Sequence, residues 1–79
     1  MRLRECKVNE SYTVKKIDLE KAAMVRLKAL GLTDGTRILI LNSKRSGSMI
    51  FRVRGTRLAV GKAIADSIYV EEEERKSYK

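Results

Sequence analysis

The sequence predicts a mainly β domain with one α-helix, in which about five short strands curl into a small closed or nearly closed barrel and the helix follows the first strand. Three observations point there. The chain has 79 residues, room for one domain with a compact core. Apolar residues take up helical spacing once, between residues 18 and 31. From residue 36 onward, short apolar runs alternate with turn residues, the pattern of strands joined by hairpins.

The first strand is Ser11-Tyr12-Thr13-Val14-Lys15-Lys16-Ile17, which opens with an apolar/polar alternation and is rich in strand formers. An irregular arm before it tucks in Leu3 and Cys6. From Asp18 the period changes, and Ala23, Leu27 and Leu30 fall at i, i+4 and i+7 while Glu20, Lys21 and Lys28 point elsewhere. This is one amphipathic helix of about three turns, with Asp18 as its N-cap and Gly31 as its left-handed stop. Leu32 follows the stop, and Thr33-Asp34-Gly35 is turn chemistry.

Three antiparallel strands come next: Thr36 to Asn42, Ser48 to Arg54 and Arg57 to Val60. The first two are joined through Ser43-Lys44-Arg45-Ser46-Gly47. The second pair is joined through Gly55-Thr56, read as a two-residue loop with Gly first. Gly61 to Asp66 forms a short helical turn, and Ser67-Ile68-Tyr69-Val70 is the last strand, with Leu58, Val60, Ile68 and Val70 facing inward. Closing the sheet hides edges that a small open sheet exposes. The domain therefore spans residues 1–70, and the charged tail 71–79, which opens with four Glu, is expected to be disordered.

Composition removes most function classes. There is no His, the usual proton shuttle near neutral pH and a frequent metal ligand, and the single Cys supplies neither a disulfide nor a zinc cluster. An enzyme is the least favoured class, for no nucleophile–base pair or phosphate-cradling glycine loop is present. No cofactor, catalytic residue, metal ligand or small-molecule substrate is expected. No segment reads as a membrane span or secretory signal, which places the chain in the cytoplasm.

The net charge of +8 is unevenly distributed. Residues 1–34 carry a net +3 and residues 66–79 a net −2, whereas residues 35–65 carry seven bases and no acid. The candidate partner-binding residues are Arg37, Lys44, Arg45, Arg52, Arg54 and Arg57 from this basic stretch. They suit nucleic acid, anionic lipid or an acidic protein face; alternatively the charge only keeps a small domain soluble. A second candidate surface is the solvent side of the helix, with Met24, Val25 and Lys28, unless the domain itself buries Met24 or Val25. Cys6 reads as a small buried apolar residue.

Several segments carry a resemblance. They are Leu3, Tyr12-Thr13-Val14-Lys15-Lys16-Ile17, Val25 through Ile38, Gly55-Thr56-Arg57-Leu58-Ala59-Val60 and Ala65-Asp66-Ser67-Ile68-Tyr69-Val70. Over residues 3–70 the chain resembles the FeoA family of ferrous iron transport proteins. The most specific part is Arg26-Leu27-x-x-Leu30-Gly31-Leu32-x-x-Gly35, followed by Arg57-Leu58-Ala59-Val60. The resemblance implies an SH3-like barrel with a helix inserted after the first strand. Where many members have Gly before that strand this chain has Asn9-Glu10, and Asn tolerates the left-handed conformation. Where many have Arg after the Leu-Ala-aliphatic run, this chain has Gly61.

The resemblance also implies a cytosolic accessory of FeoB, a membrane ferrous iron transporter with a GTP-binding domain, reached at the inner face of the membrane through that partner. Ferrous iron is held by imidazole, thiolate or clustered carboxylates. A chain with no His, one Cys and an unconstrained Glu run is therefore expected to assist transport without binding iron tightly. The alternative class is a small basic barrel binding nucleic acid, ribosomal or transcription-associated. Seven bases without an acid suit phosphate, but Tyr12, Phe51, Tyr69 and Tyr78 do not cluster as a stacking platform. A third likeness is to the C-terminal module of iron-dependent repressors of the diphtheria toxin repressor family. No helix-turn-helix or dimerisation segment is read before it, so an autonomous repressor is not expected.

Overall fold

The computed structural model describes residues 1–72. Strand β1 (Ser11–Ile17) is followed by helix α1 (Lys21–Ala29), strands β2 (Arg37–Ser43), β3 (Met49–Val53) and β4 (Thr56–Val60), the one-turn helix α2 (Lys62–Ala65) and strand β5 (Ile68–Glu72). A 3-10 turn at Leu3–Glu5 precedes them. The fold is the expected SH3-like one, mainly β with one principal helix after the first strand. Its strands are antiparallel in the order β4-β3-β2-β1-β5.

The fold is barrel-like as expected, although the sheet does not close on itself: β4 and β5 are not paired with each other. Strands β4 and β5 stay at its two ends. The outer edge of β5 is instead taken by the N-terminal arm. Val70 N–H donates to Met1 O at 2.7 Å, the Met1 ammonium donates to Val70 O at 3.2 Å, and Arg2 bridges Tyr69. The arm thus occupies the middle of that edge, at Tyr69 and Val70.

Two irregularities in the ladders decide which residues reach the core. In β1, Tyr12 and Val14 face inward and strict alternation would send Lys16 after them. A register shift between Val14 and Lys16 against β5 turns Ile17 inward instead. In β2 a shift between Ile40 and Asn42 against β3 follows the inward pair Ile38 and Ile40. The core joins Tyr12, Val14, Leu32, Ile38, Ile40, Met49, Phe51, Val53, Ile68 and Val70 to Leu3 and Cys6 of the arm. Tyr12, 2% exposed, keeps its hydroxyl satisfied by accepting the Lys7 backbone N–H at 2.9 Å. Leu58 packs at the margin of the core, half-buried.

Helix α1 departs from the sequence reading at both ends. Its N-cap is Glu20, whose carbonyl accepts from Met24 N–H at 3.0 Å. Asp18 lies two residues before that N-cap, and its N–H bonds Ser67 O at 2.8 Å, prolonging the β1–β5 pairing. At the other end Leu30 is the C-cap and 43% exposed, so it leaves the expected Ala23-Leu27-Leu30 stripe. Gly31, at φ 98°, reverses the chain: its N–H bonds Lys28 O at 2.9 Å, and Leu32 N–H bonds Leu27 O at 3.0 Å. These are the two bonds of a Schellman cap, and they fold Leu32 under the helix in the place meant for Leu30.

Asn9 takes φ 71°, as its position before β1 requires. The β3–β4 loop also differs from expectation. Val53 pairs with Thr56, so the two loop residues are Arg54 and Gly55, at φ 50° and 82°. Positive φ at both positions is a type I′ turn, with Gly second rather than first. Arg54 is thus a turn residue and Thr56 starts β4. At the other end of the domain, β5 continues through Glu71 and Glu72, which pair with Thr13 and Tyr12. The first two residues assigned to the disordered tail are therefore strand; the remainder of that tail, 73–79, lies outside the described residues.

Candidate interaction surface

The basic residues singled out from the sequence separate into groups once the chain is folded. Arg52 on β3 and Arg57 on β4 are directly opposite each other. Both are exposed, because Phe51, Val53 and Val60 hold the inward positions of the same strands. Val53 and Thr56 close the two-residue turn as a hydrogen-bonded pair, so by alternation Arg52 and Arg57 form a non-hydrogen-bonded pair, the kind with the closer side chains. Like charges so placed repel. Among the described residues neither guanidinium makes an ion pair or side-chain hydrogen bond.

Arg37, at the start of β2, is exposed and opposite Thr13, and Leu39, two residues on, is opposite Arg52. The outer face of β2 and β3 also carries Leu39 and Ile50, both half-buried, with Ala59 opposite Ile50. Arginine stems suit such a surface, covering apolar area while the guanidinium stays in water. This mixed apolar and basic face was not read from the sequence. Its signal was present in the residues between the inward ones, but only the strand register places them together.

The other candidates lie elsewhere. Lys44 and Arg45 are exposed in the β2–β3 loop, at the opposite end of the strands from the β3–β4 turn, and Lys44 contributes backbone bonds to Ser48 and Gly47. Arg54 braces the helix end, where its Nε donates to Gly31 O at 3.2 Å and places a cation at the C-terminus of α1. On the helix, Met24 is half-buried against the core, whereas Val25, 59% exposed, and Lys28 face solvent. Ion pairs join Arg4 to Asp66 at 3.1 Å and Lys15 to Glu71 at 3.8 Å, away from the Arg52–Arg57 pair.

Cys6 is buried, its Sγ directed at Arg2 O at 3.8 Å. Desolvation pushes its thiol up to about 12, so it stays protonated at neutral pH and is a poor thiolate donor. Among the described residues no group of three or more His, Cys, Asp and Glu is gathered as a metal site. Nor is any helix there long and apolar enough to cross a membrane.

Comparison with known proteins agrees with this architecture. The family model of the FeoA domain matches residues 1–72. The chain belongs to the FeoA family. A relative from Methanocaldococcus jannaschii, "Putative Fe(2+) transport protein A", is 34% identical over 68 residues, covering 86% of this chain and 82% of the relative. The crystal structure of the iron uptake regulatory protein FeoA superposes with a TM-score of 0.83 at 32% identity, over 92% of this chain and 97% of that one. A manganese-dependent transcriptional repressor reaches the same TM-score of 0.83 at 19% identity, over 92% of this chain but 41% of the repressor, a likeness of fold alone.

Proposed function

We propose that this protein acts in ferrous iron transport as a non-enzymatic cytosolic accessory, binding a FeoB-like GTP-binding membrane transporter and supporting or regulating it through protein–protein contacts. The FeoA-domain match over residues 1–72 carries the reading, and the relative named for Fe(2+) transport supports it. The surface around Arg37, Arg52 and Arg57 suits an acidic patch on a partner, with Leu39 and Ile50 supplying apolar contact between the charges. Exposed Val25 and Lys28 on α1 and the loop residues Lys44 and Arg45 are secondary contact candidates. Tight iron binding by the accessory is not part of this reading, for the chain has no imidazole and its one thiol is buried and protonated.

The test is capture of the detergent-solubilised transporter from membrane extracts, with and without nuclease, by immobilised protein at moderate salt. Wild type is expected to retain it and Arg52→Glu/Arg57→Glu to release it. Recovery of RNA or ribosomes that nuclease abolishes, with no transporter, would move the protein to the nucleic-acid class. Stoichiometric iron that resists chelators in purified protein would overturn the accessory role as stated.

A further inference from the structure

We propose that the outer edge of β4 is a docking site for an extended acidic polypeptide segment, which adds to the sheet as a sixth strand. The inference goes beyond the transporter reading, since it concerns how a segment is held whichever protein supplies it.

The two ends of the sheet are treated differently. The arm occupies the edge at β5 through Met1 and Arg2, whereas among the described residues no strand or arm pairs with the outside of β4. The alternation set by the Val53–Thr56 pair directs the backbone groups of Thr56, Leu58 and Val60 to β3. It leaves the N–H and C=O of Arg57 and Ala59 pointing outward. Two devices that blunt an edge are missing among the described residues: the β3–β4 register runs unbroken from Val53–Thr56 to Met49–Val60, without a bulge, and the strand has no Pro. Thr56, Arg57 and Ala59 are exposed and Leu58 is half-buried.

Charge selects the occupant. Arg57 and Arg52 stand side by side on the outer face, and residues 35–65 contain no acid. A carboxylate on the added strand opposite Arg57 would lie on that face, turning a repulsive pair into a stabilised row. The next residue of the added strand points to the other face, where an apolar side chain would cover Leu58. The geometry therefore asks for alternating acidic and apolar residues in an extended segment. A second copy paired edge to edge would bring two acid-free surfaces together and is disfavoured by the same charges.

The test uses full-length 15N-labelled protein and two capped peptides, one of alternating Glu and Val and one of alternating Lys and Val. The Glu peptide is expected to slow solvent exchange of the Arg57 and Ala59 amides. Ala59→Pro removes an outward N–H and leaves the β3 ladder intact, so binding should fall by about tenfold or more. Should Ala59→Pro fail to fold, Arg57→Glu gives the independent result: loss of the Glu peptide and gain of the Lys peptide. Equal binding of both peptides, or shifts confined to the Lys44–Arg45 loop, would overturn the proposal. So would Arg57 and Ala59 amides already protected in the free protein, or a dimer in sedimentation that Ala59→Pro dissolves. An RNA oligonucleotide that binds this face where the Glu peptide does not would overturn it equally.

Discussion

Gly31 offers the sharpest perturbation, because one atom added there meets two separate obstacles. Its φ of 98° lies where a side chain costs about 1–2 kcal/mol. A Cβ would also stand 3.0 Å from Arg54 Cδ, so the arginine must withdraw and its hydrogen bond to Gly31 O loosens. An exposed bond of that kind contributes about 0.5–1 kcal/mol. Gly31→Ala should therefore cost about 1.5–3 kcal/mol of a total that for 79 residues is roughly 4–12 kcal/mol. At about 4–8 °C per kcal/mol, the thermal midpoint followed by circular dichroism should fall by about 6–24 °C. Gly31→Val, with a branched Cβ, should fail to accumulate as soluble folded protein. In an Arg54→Ala background the Gly31→Ala cost should shrink to the backbone part alone, which the double-mutant cycle reads directly. A Gly31→Ala midpoint within about 2 °C of the parent would refute both the helix stop and its bracing by Arg54.

Arg52→Glu should raise stability by about 0.2–1 kcal/mol, since it converts a like-charge pair with Arg57 into an opposite one, and the gain should shrink in high salt while partner capture weakens. Tyr12→Phe leaves the Lys7 N–H without its acceptor and should cost about 1–2 kcal/mol in a denaturant titration. Cys6 should resist iodoacetamide in the native protein at pH 8 and react once the chain is unfolded in urea. Its folded thiol titrates near 12 against an ordinary 9.0, so the folded state holds the proton more tightly. The contribution is complete below pH 9 and is lost as pH rises toward 12; Tyr12, raised by burial as well, acts in the same direction. Cys6→Ala should flatten the first part of that alkaline decline in melting temperature, and an unchanged slope would remove Cys6 as its cause.

Features that depend on a residue's own conformational preference were legible in the sequence. Asn9 and Gly31 both take the left-handed backbone expected of them, and the Leu27-to-Leu32 reversal needs only local bonds. Features set by a distant strand were not. Asp18 has the chemistry of an N-cap, yet it extends the β1–β5 pairing through Ser67 and the helix starts from Glu20. Lys16 and Ile17 exchange expected faces because β5 shifts its register against β1, and the arm, not β4, satisfies the edge of β5. The same division applies to the surface. Seven bases without an acid were visible at once, but the pairing of Arg52 with Arg57 came only from the register. The commitment of Arg54 to Gly31 likewise required the folded chain.

The arm across β5 also sets a valence. A small sheet open at both sides could accept a strand on one and offer a strand on the other, and successive molecules would then polymerise head to tail. With Met1 and Arg2 seated against Val70 and Tyr69, one side is capped from within the chain. Strand addition at β4 then terminates after a single event, giving a discrete one-to-one complex in place of a growing fibre.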